Sequence, residues 1–245
     1  MSKSLALAVT ICLIVLSFAS SAQTQTIAWS GREWKVTRGG MAGVAKGDPS
    51  NVSIDAKGYL HLGIVKRDGK WTSSELFTVD NLGFGTYQWV VEGDIYNMDP
   101  HTVLGLFSYG PAHHIGVNAE NEIDIEFSQW NKTCGDCDAD FTVYPATGHR
   151  TPTGKSIWED NFHVVGGTLT TARFQWSHDR IVFTLMNGAQ PLGQTGDVIK
   201  TETYSSSATD IPQQKLPVGI NLWCFEKTPS KDQGVVVRSF EFAPQ

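Results

Sequence analysis

Charge is scarce in this chain: only 18% of its 245 residues are Asp, Glu, Lys or Arg. Basic residues are the scarcer half, 19 against 25 acidic ones, for a formal net charge of −6. That balance argues against nucleic acid or an anionic membrane surface as the main partner. Cysteine is rare too, with four in all. No second CxxC accompanies Cys134 and Cys137 in "TCGDC", which removes a zinc ribbon, and no βαβ pattern supports a thioredoxin-like role. Sustained helical periodicity is missing, so a helical bundle is excluded. No HExxH or similar spacing occurs among His113, His114, His149, His163 and His178, which sets aside a zinc protease. "GFG" lacks a following Lys-Ser/Thr and a helix, so a phosphate-binding loop is dismissed.

The apolar run "LALAVTICLIVLSFA" is too short to span a bilayer securely, and no basic stop-transfer cluster follows it. With Lys3 before it and "SSA" after it, residues 1–22 read as a secretory signal cleaved near Ala22. A membrane anchor is the alternative set aside. The expected location is secreted and extracellular, or periplasmic in a bacterium, with no membrane association after cleavage. Export fits a small loop disulfide between Cys134 and Cys137, with Cys224 buried and unpaired on an apolar strand. "NVS" at Asn51 and "NKT" at Asn131 are glycosylation acceptors in a eukaryotic host.

Glycine (24) and tryptophan (eight) are plentiful. Short apolar-polar alternations recur with turn residues between them. "YLHLGIVKRDGKW" turns at Asp68-Gly69, and "ARFQWSHDRIVFTLMNG" turns at His178-Asp179 and again at Asn187-Gly188. "LGFGTYQWVVEGD", "TVLGLFSYG", "DADFTVYP", "VGINLWCF" and "GVVVRSFEF" have the same character. No linker, low-complexity run or repeat interrupts them. About a dozen strands in one domain, residues 23–245, predict an all-β, two-sheet antiparallel sandwich of jelly-roll type.

The stretch "ENEIDIEFSQW" puts Glu122, Asp124 and Glu126 at every second position. On a strand they share one face, while Ile123, Ile125 and Phe127 enter the core. Like charges in a row repel, and Lys and Arg are absent from residues 101–131, so the row reads as functional. Four residues of strand separate two Cα atoms by about 13 Å. Two glutamates leaning together across that gap leave about 5 Å, the separation a retaining glycoside hydrolase needs. Three carboxyls this close cannot all ionise comfortably, and one that keeps its proton can act as a general acid. Asp124 is expected to hydrogen-bond the nucleophile, and its charge to help keep the acid protonated. Spacing alone does not say which glutamate attacks.

The strand resembles the E-[ILV]-D-x-E signature of glycoside hydrolase family 16. "RGGM" (38–41), "LGFGTYQ" (82–88), "GLFSYGPAH" (105–113), "FTVYP" (141–145) and "INLW" (220–223) carry the likeness along the chain. The five-residue motif favours the branch of lichenases, xyloglucan transglycosylases and fungal wall transglycosylases. The resemblance implies a concanavalin-like jelly roll. It also implies Glu122 as nucleophile, Asp124 as its helper and Glu126 as general acid/base, with Phe107, Tyr109, Tyr144, Asn221 and Trp223 as sugar contacts. Phe77, Arg38 and Thr142 stand where lichenases carry Arg, Asn and Asn, and the lichenase disulfide partners have no obvious match.

The expected activity is retaining, endo-acting hydrolysis of a 1,3- or mixed 1,3/1,4-linked β-glucan. A transglycosylase on a β-glucan or xyloglucan, or a non-catalytic sugar-binding sandwich, are the alternatives. The partner is a polysaccharide, the chain a monomer. No cofactor is required and no metal is expected at the site, although family relatives often carry a structural calcium on the outer sheet. Its ligands are not identified here. Asp136, Asp138 and Asp140 in "DCDAD" resemble the start of a calcium loop, but Thr147 stands where an EF-hand needs Glu, so a solvated loop is expected.

Overall fold

Period-two alternation becomes strand wherever turn residues break it, and the segment around Asp68-Gly69 shows how. Both residues adopt positive φ, 49° and 77°, which matches the twist of a two-residue hairpin. They join Leu60–Arg67 to Lys70–Thr78. The computed structural model describes residues 25–110, 121–145, 155–162 and 167–245. The proposed signal segment, His113, His114, Thr147, His149 and His163 lie outside them.

Sixteen strands run through the described residues. They are β1 (Gln25–Trp29), β2 (Arg32–Val36), β3 (Lys46–Gly47), β4 (Val52–Ile54), β5 (Leu60–Arg67), β6 (Lys70–Thr78), β7 (Gly85–Glu92) and β8 (Thr102–Tyr109). They continue with β9 (Glu122–Ser128), β10 (Ala139–Tyr144), β11 (Lys155–Asp160), β12 (Leu169–Trp176), β13 (Arg180–Asn187), β14 (Val198–Ser205), β15 (Val218–Cys224) and β16 (Gln233–Pro244). One layer has the order β11-β10-β9-β8-β15-β6-β2-β1, and the other β4-β5-β16-β7-β12-β13-β14. The β5–β6 hairpin joins the layers at one edge through Val65–Arg67 and Lys70–Thr72. All pairs are antiparallel except a two-residue contact of β3 with β6. This is the all-β, two-layer jelly roll the alternation predicts.

The core fills the space between the layers. Ile123, Ile125 and Phe127 of β9 are fully buried, each stabilising the sandwich by roughly 1.5–3 kcal/mol. Phe141 of β10 stacks on Phe183 of β13 at 4.8 Å, and Trp34 of β2 meets Phe240 of β16 edge-on at 5.6 Å. Cys224 is buried and unpaired, and Cys134 is disulfide-bonded to Cys137.

The strands that the quoted segments do not cover are β1–β4, β11 and β14. In β1, β11 and β14 most residues are exposed or half-exposed, and charged residues interrupt the alternation of β2, β11 and β14, diluting the periodic signal. Asn187-Gly188 does not close a tight hairpin, since residues 188–197 separate β13 from β14. Asp138 and Asp140 are buried, which corrects the expectation of a solvated loop: Asp138 accepts from the Phe162 amide at 2.8 Å and Asp140 from Trp130 Nε1 at 2.9 Å. Of the two acceptor sites, Asn51 is buried. Its Nδ2 donates to Thr72 Oγ1 at 2.9 Å and to the Ser73 carbonyl at 3.1 Å, so the folded chain does not offer it to a glycan.

Candidate active site

Strand register converts residues far apart in sequence into a grid on the outward face of the first layer. Glu122 sits between Tyr144 of β10 and Tyr109 of β8. Asp124 begins a row that runs through Phe107, Gly219 and Phe77 to Lys35, with Thr142 on its other side. Glu126 lies between Asp140 and Gly105, and Gly105 leads on to Asn221 and Glu75. Above this grid is a cleft of about 1180 Å³. From β2 to β10 it crosses five inter-strand spacings, about 24 Å. All eight residues predicted from sequence line it: Glu122, Asp124, Glu126, Phe107, Tyr109, Tyr144, Asn221 and Trp223.

Two missing side chains shape the floor. A Cβ on Gly219 would stand 2.3 Å from the Phe107 ring, so that ring lies flat over bare backbone. A Cβ on Gly105 would stand 2.5 Å from Asn221 Oδ1, which instead accepts from the Gly105 amide at 3.1 Å. The Asn221 amide is thereby fixed beside Glu126. Phe77, at the position where lichenases have Arg, meets Phe107 edge-on at 5.6 Å and makes that wall apolar. Thr142 donates to Asp140 Oδ2 at 3.0 Å.

Electrostatics favour proton retention. The sequence has no Lys or Arg between Lys70 and Lys132, and Lys35 is the one cation among the lining residues. Burial pushes Glu122 up to about 8, with a hydrogen bond from Asp124 pulling it back and the charge of Glu75 adding to the rise. Burial, then the charges of Glu122, Glu126 and Asp140, hold Asp124 well above the carboxylate range. Asp124, the harder of the two to ionise, is the hydrogen-bond donor to Glu122. Glu126 is also held well above that range, by burial first, then by Asp140 and Glu122.

Three cleft groups escaped sequence reading. Glu75 accepts from Thr37 Oγ1 at 2.8 Å, and burial raises its pKa against the bonds from Thr37 and Asn221. Asp140 is pushed by burial up to about 7, opposed by hydrogen bonds from Trp130 and Thr142. Trp130 lines the cleft and stands edge-on to Trp223 at 6.2 Å. Only cross-strand register brings Glu75 into the cleft and Asp140 alongside Glu126, and one sequence does not reveal register.

No protein-family profile and no curated protein sequence matches the chain. Solved structures do. A prokaryotic β-1,3-1,4-glucanase (lichenase) derived from a mouse hindgut metagenome aligns over 86% of this chain and 93% of its own, at 19% identity and a TM-score of 0.61. A glycoside hydrolase family 16 endo-glucanase from Bacteroides ovatus, in complex with G4G3G-2F-DNP, aligns over 86% and 94%, at 11% identity and TM-score 0.64. The fold is the one those glucanases share. The κ-carrageenase of Pseudoalteromonas carrageenovora, bound to a κ-carrageenan oligosaccharide, has it too (85% and 88% covered, 13% identity, TM-score 0.59). A glucanase fold therefore carries different polysaccharide specificities, and the residues in the cleft must decide among them.

Two carboxylates of the second layer are already engaged. Asp55 accepts from the amides of Lys57 and Tyr59 and contacts His61, while Glu92 pairs with Arg238 at 2.7 Å. Among the described residues the one convergent group of possible ligands is Cys134, Cys137 and Glu159, whose two sulfurs are joined to each other.

Proposed function

We propose that the chain is a family 16 retaining endo-glycoside hydrolase that cleaves β-1,3- or mixed β-1,3/1,4-glucan. The observation that carries this reading is the bond from protonated Asp124 to Glu122 on a strand whose Glu126 opens into the same cleft. Glu122, eased toward ionisation, attacks the anomeric carbon. Glu126 gives its proton to the glycosidic oxygen as the carbon–oxygen bond breaks, leaving a glycosyl ester on Glu122. Glu126 then takes a proton from water, which attacks the ester and frees Glu122. A cleft about 24 Å long suits a polymer, and Phe107, Tyr109, Tyr144 and Trp223 offer faces to sugar rings while Asn221 offers hydrogen bonds to hydroxyls. We propose export as well, consistent with the Cys134–Cys137 disulfide.

Reducing-end release from a panel of β-glucans tests the reading. The wild type should act on 1,3- or mixed-linked glucan and Glu122→Gln should not. Equal activity in both, or none in the wild type, would end it. Added oligosaccharide acceptor separates hydrolysis from transfer to sugar.

A further inference from the structure

Asp140, Trp130 and Thr142 have no part in the steps above, yet they stand beside Glu126. Asp140 is the direct cross-strand partner of Glu126 in the β9–β10 register, and side chains so paired share a face with Cβ atoms roughly 4.5–5.5 Å apart. Asp140 is 5% exposed. Its Oδ1 accepts from Trp130 Nε1 at 2.9 Å and its Oδ2 from Thr142 Oγ1 at 3.0 Å. Trp130 occupies an unusual turn: Trp130, Asn131 and Lys132 all have positive φ, 44°, 53° and 61°. Each such residue costs about 1–3 kcal/mol and persists only where its surroundings hold it. Here the Trp130 amide donates to Ser128 Oγ at 3.0 Å, the Asn131 amide to the Pro100 carbonyl at 2.8 Å, and Asn131 Nδ2 to Glu226 at 3.0 Å.

We propose that Asp140, clamped by Trp130 and Thr142, is a positioning residue whose negative charge keeps the proton of Glu126 in place for donation to the leaving sugar. This rests on the reading of Glu126 as the general acid/base. The titratable groups around Glu126 are acids and one tyrosine, and Asp140 is the one paired directly across from it. Its own strand offers Glu122 and Asp124. From β8 comes uncharged Gly105, over which Asn221 of β15 folds, with Glu75 of β6 behind. From β10 come Asp140 and Tyr144, and Glu159 of β11 stands opposite Asp140. None of these is a cation. With two donors on its oxygens, Asp140 is the carboxyl of the pair that ionises, and the remaining proton stays on Glu126, as for two acids sharing one site. Burial raises Glu126 most, and Asp140 leads the charges that add to it.

The test is a ¹³C-carboxyl NMR titration of Glu126, alongside pH profiles of kcat/KM on β-glucan, for wild type, Asp140→Asn and Trp130→Phe. In Asp140→Asn the Glu126 resonance should titrate at lower pH and the alkaline limb of the profile should move the same way. Trp130→Phe keeps an aromatic wall but loses the N–H, so a smaller shift of the Glu126 titration in the same direction is expected. Should Asp140→Asn not fold, the Trp130→Phe titration decides alone. An unmoved Glu126 titration in a folded variant would overturn the inference, whatever the activity. A moved titration in a protein that cleaves no glucan would support the role of Asp140 and sink the proposed function instead.

Discussion

Each layer of the sandwich buries charge on its outward face, and the two treat it oppositely. On the second layer, Arg173 of β12 is 3% exposed with no carboxylate against it. Its guanidinium donates to Gln88 Oε1, Thr195 Oγ1 and the carbonyls of Gln194 and Pro191. Burial lowers its pKa, but an arginine cannot give up its charge, so the fold surrounds it with acceptors and thereby secures loop 188–197. On the first layer, Glu122, Asp124, Glu126 and Asp140 can respond to burial by holding protons. The first three line an open cleft whose one lining cation is Lys35, and Asp140 stands across from Glu126. A charge that cannot be discharged is used for structure; charges that can be are left where chemistry can use them.

Removing one group from each side tests this contrast most directly. Glu126→Gln should lower kcat by about 10²–10⁴-fold while the melting temperature holds or rises, because a crowded carboxyl is gone. Arg173→Met should do the reverse, destabilising by about 2–4 kcal/mol as Gln88 and the loop carbonyls lose their donor, with kcat of the folded enzyme nearly unchanged. Urea midpoints and steady-state rates read both. If Glu126→Gln destabilised as much as Arg173→Met, the contrast would be wrong.

A third prediction follows from the raised carboxyls. An unfolded chain releases these protons in the ordinary range near pH 4, whereas Glu122 keeps its proton to about 8 and Asp140 to about 7. Between those limits the native state binds more protons than the unfolded one, so stability falls as pH rises from about 4 to about 8. Chemical denaturation at pH 5 and pH 8 should show the drop, and Glu122→Gln should flatten it. The smallest effect is expected from Cys134→Ser with Cys137→Ser. So short a loop confers about 2 kcal/mol or less, visible as a slight fall in thermal midpoint.

Much of this was legible in one sequence, for reasons particular residues make plain. Glu122, Asp124 and Glu126 announce themselves because strand periodicity is exactly two residues and their neighbours Ile123, Ile125 and Phe127 mark the opposite face. Asp68-Gly69 and the turn after Trp176 set two hairpins through turn chemistry. Asp140 and Glu75 were not legible, because their place depends on which strand lies alongside and in what register. Trp130 was hidden differently: its position depends on a left-handed turn that non-glycine residues rarely adopt, and "QWNK" gives no hint of it.

Gly105 and Gly219 carry a consequence for substrate choice. The depth of the groove beneath the sugar chain is set there by hydrogen atoms alone. A single methyl would displace the Phe107 ring at Gly219, or at Gly105 the Asn221 amide that also bonds Glu75. The shape of the cleft floor can thus be retuned by one-carbon changes, while the carboxylates of the neighbouring strand stay in place.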